Sequence, residues 1–207
     1  MRRRFVIFVS LLSFFLAGCA TPGNHTAAQS AGPKYTYVIV HGAWGGGWAF
    51  KEVDRQLTAD GHKVYRPTLT GLGEKVHLSN TNIDLDTHIT DIVNVILWEN
   101  LSNIVLVGHS YGGMVITGVA DRVPGRIKHL IYIDALLPEN GESAMEIRKK
   151  PVLEQPIVDG YVIPPWVKPN TPPPHDVPHP LKTLTGPVSL TNQAAAAGIP
   201  TTYILNV

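Results

Sequence analysis

The chain has 207 residues, enough for one domain with a sizeable core. Its 17 Lys and Arg nearly balance 16 Asp and Glu, which excludes a function built on a basic face for nucleic acid. A single cysteine excludes disulfides and Cys-ligated metal sites within one chain.

Arg2, Arg3 and Arg4 precede an apolar run from Phe5 to Leu16. That run is too short for the ~20 residues a spanning helix needs, and it suits the core of a signal peptide. It ends in Leu16-Ala17-Gly18-Cys19, which resembles the lipobox of bacterial lipoproteins, where the Cys thiol takes a diacylglyceryl group and becomes the new N-terminus. An ordinary secretory signal ending near a Cys is the competing reading. Residues 1–18 are therefore expected to be a lipoprotein signal peptide and Cys19 the lipidated residue. Residues 19–33, rich in Ala, Thr, Ser, Gly and Pro, read as a flexible tether. The chain is then placed in the bacterial cell envelope, on the membrane through its N-terminal lipid, or else secreted. Without the three signal arginines, 14 basic residues face 16 acidic ones.

The folded domain is expected over 34–207. Tyr35 to Val40 reads as a strand that runs into the glycine-rich turn His41-Gly42-Ala43-Trp44-Gly45-Gly46-Gly47-Trp48. The turn lacks the Lys-Ser/Thr ending of a P-loop and the spacing of a dinucleotide fingerprint. Trp48 to Ala59 predicts a helix with Val53 and Leu57 one turn apart, closed by Gly61. Lys63 to Tyr65 begins a strand, and Asp86 to Glu99 predicts a helix whose Ile89, Ile92, Val93 and Ile96 share a buried face.

Ile104 to Val107 is an unbroken apolar run suited to a strand buried on both faces, and Met114 to Val123 suits a helix. Between them stands Gly108-His109-Ser110-Tyr111-Gly112, a G-x-S-x-G pattern in a strand-to-helix context. So sharp a turn puts Ser110 in a strained backbone conformation, exposed at the sheet's edge near free helix N–H groups. Side chains at Gly108 and Gly112 would collide with neighbouring elements. A structural Gly-Ser turn is the competing reading. Ile127 to Ile133 follows as a strand, and the repeated βα units imply a parallel sheet with helices on both faces.

The segments VIVHGAWGGGWAF, PTLTGLGEKVHL, VLVGHSYGGMVITGVADRV and IYIDALLP, in this order, are similar to the α/β-hydrolase superfamily. The resemblance is narrower to the branch of plant methylesterases, the salicylic-acid-binding esterase and hydroxynitrile lyases. It implies Ser110 as nucleophile of an ester hydrolase working through an acyl-enzyme, with Ala43 and Tyr111 supplying the N–H groups of an oxyanion hole. Lyases of this branch carry Thr where this chain has Gly42, so the resemblance favours ester cleavage over cyanohydrin chemistry. No metal or organic cofactor is implied, and the expected partner is a small hydrophobic ester.

Residues about 139–190, dense in Pro, sit where the family inserts a cap over the site. Regular sheet is not expected there, and a disordered linker is the competing reading. Asn192 to Ala197 reads as a short helix and Thr201 to Val207 as a strand. Carried onto this chain, the family's order of Ser, acid and His leaves the usual acid and His unmatched. The implied fold lacks its last strand and helix, with an unpaired apolar edge at the final strand and one sheet face less covered. Asp134 is a candidate substitute acid, with a structural carboxylate as the alternative. His41 and His109 read as parts of turns, His175 and His179 as surface or cap residues, and His129 as a satisfied strand position. An inactive or purely ligand-binding chain is therefore the alternative function, with a hydroxynitrile-type lyase behind it.

Overall fold

The computed structural model describes residues 32, 34–148 and 155–206. The expected signal peptide, Cys19 and all of the expected tether except Gly32 lie outside them.

Five parallel strands form the main sheet in the order β2-β1-β3-β4-β8. They are β1 (Thr36–Val40), β2 (Lys63–Tyr65), β3 (Ile104–His109), β4 (Ile127–Ile133) and β8 (Thr201–Ile204). The central strand β3 is buried on both faces, as its apolar run predicts. Ile104 and Leu106 join a core with Val38, Val40, Ile92 and Ile116, while Val105 and Val107 join Ile39 on the opposite face. The alternation is the period-2 geometry of a strand with two covered faces.

The larger core is closed by α2 (Leu85–Trp98) and α3 (Gly112–Arg122). Asp84 starts α2 with a capping box: its carboxylate accepts from Thr87 N–H (2.8 Å), and Thr87 Oγ1 accepts from Asp84 N–H (3.5 Å). Ile89, Ile92 and Ile96 line its buried face, joined by His88. On the other face lies α1 (Lys51–Ala59), preceded by a 3₁₀ turn over Gly47–Phe50. Here Phe50 and Leu57 cover Ile39, Val105 and Val107. Val53, one turn from Leu57 on the same helix, is 42% exposed and is not among the residues packed on that face. The helix stops at Gly61, whose φ of +84° only glycine adopts readily.

Beyond β4 come α4 (Ala144–Arg148), three short strands, then α5 (Lys182–Thr185) and α6 (Gln193–Ala197) before β8. The proline-rich region does contain sheet, contrary to expectation. β5 (Ile157–Val158), β6 (Tyr161–Val162) and β7 (His179–Pro180) form an antiparallel three-stranded unit. Each strand is two residues long, and Pro180 lies on edge strand β7, where a missing N–H breaks no ladder. Asp121 ties α3 to the start of α6, accepting from the N–H groups of Thr191 (2.9 Å) and Asn192 (2.6 Å). β8 pairs with β4 alone, and all four of its residues are exposed.

Candidate active site

The turn between β3 and α3 puts Ser110 at φ +52°, in the left-handed region that a non-glycine residue occupies only under constraint. The constraint is visible in its hydrogen bonds. Ser110 N–H donates to Ile133 O (3.2 Å), and Ser110 O accepts from Gly113 N–H (3.1 Å) and Leu136 N–H (2.9 Å). The glycines are required by close approach. A Cβ at Gly108 would stand 2.7 Å from Gly112 O, one at Gly112 would stand 2.6 Å from Val40 O, and one at Gly113 would stand 2.0 Å from Leu136 O.

Ser110 lines a cavity of about 200 Å³ with Ala43, Trp44, Tyr111, Asp134 and Arg148 among its neighbours. The sequence-predicted site residues Ser110, Ala43, Tyr111 and Asp134 are thus brought together. No hydrogen bond among the described residues engages the N–H of Ala43 or of Tyr111. Asp134 follows β4 directly at φ +43°, and Trp44 sits at φ +64°, so three non-glycine residues of one cavity hold left-handed backbone. Among the described residues no hydrogen bond ends on the Asp134 carboxylate or on Ser110 Oγ, and no imidazole partners that oxygen. His109 points its ring toward Phe50; burial lowers its basicity, partly offset by the charge of Asp134.

A model of the alpha/beta hydrolase family matches residues 37–205. The chain belongs to that family. Over 114 residues it is 51% identical to the carbendazim hydrolyzing esterase of Nocardioides sp. (strain SG-4G), an overlap of 55% of this chain and 47% of that protein. It is 29% identical to methylesterase 2 of Arabidopsis thaliana over 119 residues, covering 56% of this chain and 45% of that protein. The fold matches an extracellular α/β-hydrolase from a Paenibacillus species with a TM-score of 0.69, at 24% identity, over 82% of this chain and 76% of that one. The chain spans about half the length of the curated relatives it matches. The α/β-hydrolase fold and the resemblance to the methylesterase branch are thereby borne out.

Behind the cavity lies a set of buried histidines that pattern-reading left as architecture or passed over. Leu69 N–H donates to His41 Nε2 (3.0 Å), which leaves Nδ1–H to donate to Gly42 O (2.8 Å). His88 Nε2–H donates to Thr70 O (2.9 Å), so its Nδ1 accepts from the Tyr111 hydroxyl (3.0 Å). His179 lies in the cap but is wholly buried rather than at the surface. Its Nδ1 accepts from Trp44 N–H (3.1 Å), and its Nε2–H donates to Thr183 Oγ1 (2.6 Å). Each ring uses one nitrogen as donor and one as acceptor, which is the pattern of neutral imidazole. Burial accordingly pushes His41 down to about 4 and lowers His88 and His179, while it raises the Tyr111 phenol far above its usual range. The signal for His88 was its place on an otherwise apolar helix face; His179 offered none, since Trp44 lies 135 residues away.

His129 reaches Thr202 Oγ1 (2.8 Å) and His175 belongs to the cap. Among the described residues no three His, Cys, Asp or Glu side chains are grouped to hold a metal ion.

Proposed function

We propose that the chain is a serine hydrolase of small carboxylic esters. The observation that carries this is Ser110, strained at the strand-to-helix turn and facing the same cavity as the unengaged N–H groups of Ala43 and Tyr111. Ser110 gives its hydroxyl proton to a general base as Oγ attacks the acyl carbon, the negative charge collects on the carbonyl oxygen, and the two N–H groups donate to it. The C–O bond to the alcohol then breaks as the base returns that proton to the departing oxygen, leaving the acyl group on Ser110; water, giving a proton to the same base, attacks the acyl carbon and releases the acid with the Ser110 hydroxyl restored. Asp134 is the candidate acid, in the role of orienting the base once it is protonated rather than acting on the ester itself. The esterase names of the two curated relatives support ester cleavage, and the small volume between Trp44, Leu136 and Leu184 supports a small acyl group. The lyase alternative is disfavoured at Gly42, where even a Cβ would stand 3.1 Å from both Ser110 Cβ and His109 Nδ1.

One observation favours a second reading, ligand binding without turnover: no imidazole among the described residues partners Ser110 Oγ. A fluorophosphonate probe separates the two in the purified chain carrying Cys19→Ser. Labelling that disappears in Ser110→Ala supports the hydrolase. A folded chain that takes up no label, yet still binds ester analogues, supports binding alone.

We further propose that a lipid on Cys19 holds this domain at the bacterial envelope, as the motif at Leu16–Cys19 suggests. Cys19→Ser then moves the chain from the membrane fraction to the soluble one; an unchanged distribution refutes the anchor.

A further inference from the structure

Trp44 follows Ala43, one of the two N–H donors in the proposed reaction, and its backbone is strained at φ +64°. Across it Gly45 N–H donates to Ala43 O (2.8 Å), closing a three-residue turn. Such a turn with positive φ at its centre is the rare, strained form of the γ-turn. Strain of this kind persists only where the surroundings over-determine the backbone. Three hydrogen bonds do so here, and each reaches the cap. Trp44 N–H donates to His179 Nδ1 (3.1 Å), its carbonyl accepts from Val177 N–H (2.9 Å), and its indole N–H donates to Val162 O (3.0 Å).

His179 is the one partner that bonds through a side chain, and that side chain is wholly buried. Its tautomer is fixed from behind. Thr183 Oγ1 donates its only proton to Pro180 O (2.8 Å), so it accepts from His179 Nε2 (2.6 Å). The proton therefore sits on Nε2, and Nδ1 is left as an acceptor for Trp44. The same ring stands edge-on to the Tyr111 ring, with centroids 5.1 Å apart. One cap residue thus touches the peptide beside the first N–H donor and the side chain of the second.

We propose that His179 is a positioning residue for the oxyanion hole, holding the Ala43–Trp44 peptide so that the Ala43 N–H keeps one direction at the Ser110 cavity. Its catalytic consequence rests on the hydrolase reading, while the geometry does not. Without an acceptor at residue 179 the Trp44 N–H faces a buried side chain unpaired, and the turn gains by relaxing toward negative φ. That rotation carries Ala43 with it. The oxyanion exists only in the transition state, so the loss falls on turnover rather than on substrate binding.

Two substitutions separate positioning from packing. His179→Leu keeps apolar bulk without an acceptor, whereas His179→Asn gives up the ring but returns an oxygen near the place of Nδ1. In the purified Cys19→Ser chain labelled with 15N-alanine, Ala43→Gly identifies the Ala43 amide signal by its loss. His179→Leu is expected to shift or broaden that signal, and His179→Asn to bring it back toward its original place. With 4-nitrophenyl acetate, His179→Leu lowers kcat by at least about tenfold and leaves KM within about twofold, and His179→Asn recovers much of the loss. One measurement needs neither variant to fold. With 15N in tryptophan and histidine, the Trp44 amide nitrogen couples to an unprotonated imidazole nitrogen across the hydrogen bond. The proposal is overturned if that coupling is absent, if the Ala43 signal ignores His179→Leu, or if Leu preserves signal and turnover as well as Asn does. A chain without turnover whose Ala43 signal still follows the acceptor at residue 179 upholds the positioning and sinks the hydrolase reading instead.

Discussion

Replacing Gly113 by Ala sets two effects of opposite sign against each other. Gly113 lies in the first turn of α3, where Ala is favoured over Gly by about 1 kcal/mol on helix propensity. Against this, the new Cβ would stand 2.0 Å from Leu136 O and 3.0 Å from Ala135 Cβ. Leu136 O is backbone, so the clash is relieved only by moving the segment after β4. Overpacking of this kind costs about 1–3 kcal/mol, and displacing Leu136 also endangers its hydrogen bond to Ser110 O, worth about 1 kcal/mol. The clash wins, by about 2 kcal/mol net, which for a chain this size lowers the melting temperature by about 4–8 °C. Gly125→Ala is the control: a Cβ there meets nothing within 4 Å, and the change stays within about 0.5 kcal/mol. Urea unfolding of both variants measures the difference. A Gly113→Ala chain as stable as wild type, or a Gly125→Ala chain equally damaged, would refute the close-approach reasoning.

Three further outcomes are expected. His41, His88 and His179 are held neutral in the fold but protonate in the unfolded chain below about pH 6.5, so the unfolded state binds more protons and stability falls as pH falls. Each contributes at most about 1.4 kcal/mol per pH unit, and a urea midpoint that is the same at pH 7.5 and pH 5.5 would contradict their burial. Asp121→Ala strips the N–H groups of Thr191 and Asn192 of their acceptor and is expected to cost about 2–4 kcal/mol, with proteolysis of the native chain increasing near α6. Tyr111→Phe leaves His88 Nδ1 buried without a donor at a cost of about 1–3 kcal/mol in chemical unfolding; no loss would mean that water replaces the hydroxyl.

What could be read from the sequence was mostly local. The apolar run Ile104–Val107, the spacing of Ile89, Ile92 and Ile96, and the flanking glycines of the turn each depend on residues within a few positions of one another. Such patterns were enough to place a parallel sheet and a serine at its edge. Long-range pairings were not legible. His179 meets Trp44, Asp121 meets Asn192, and Tyr111 meets His88 only once the sheet has assembled. The helical spacing of Val53 and Leu57 was legible, but not that Leu57 packs on the sheet while Val53 is 42% exposed, since periodicity says nothing about how much sheet a helix has to cover. The cap strands were missed because two-residue strands carry no period, and because a proline is tolerated at an edge that only topology reveals.

The left-handed backbone at Trp44, Ser110 and Asp134 has a consequence for anyone engineering this chain for heat resistance. Each such residue costs about 1–3 kcal/mol relative to a relaxed conformation, and glycine would recover part of it at any of the three. A screen that rewards only survival at high temperature will therefore enrich substitutions at Ser110 and Asp134 and empty the cavity of its hydroxyl and carboxylate, while Trp44 is retained by its packing on the core and by the bond from its indole N–H to Val162 O (3.0 Å). Selection has to include a readout of the cavity itself, or draw its gains from exposed positions such as Val53, where nothing is spent on holding a shape.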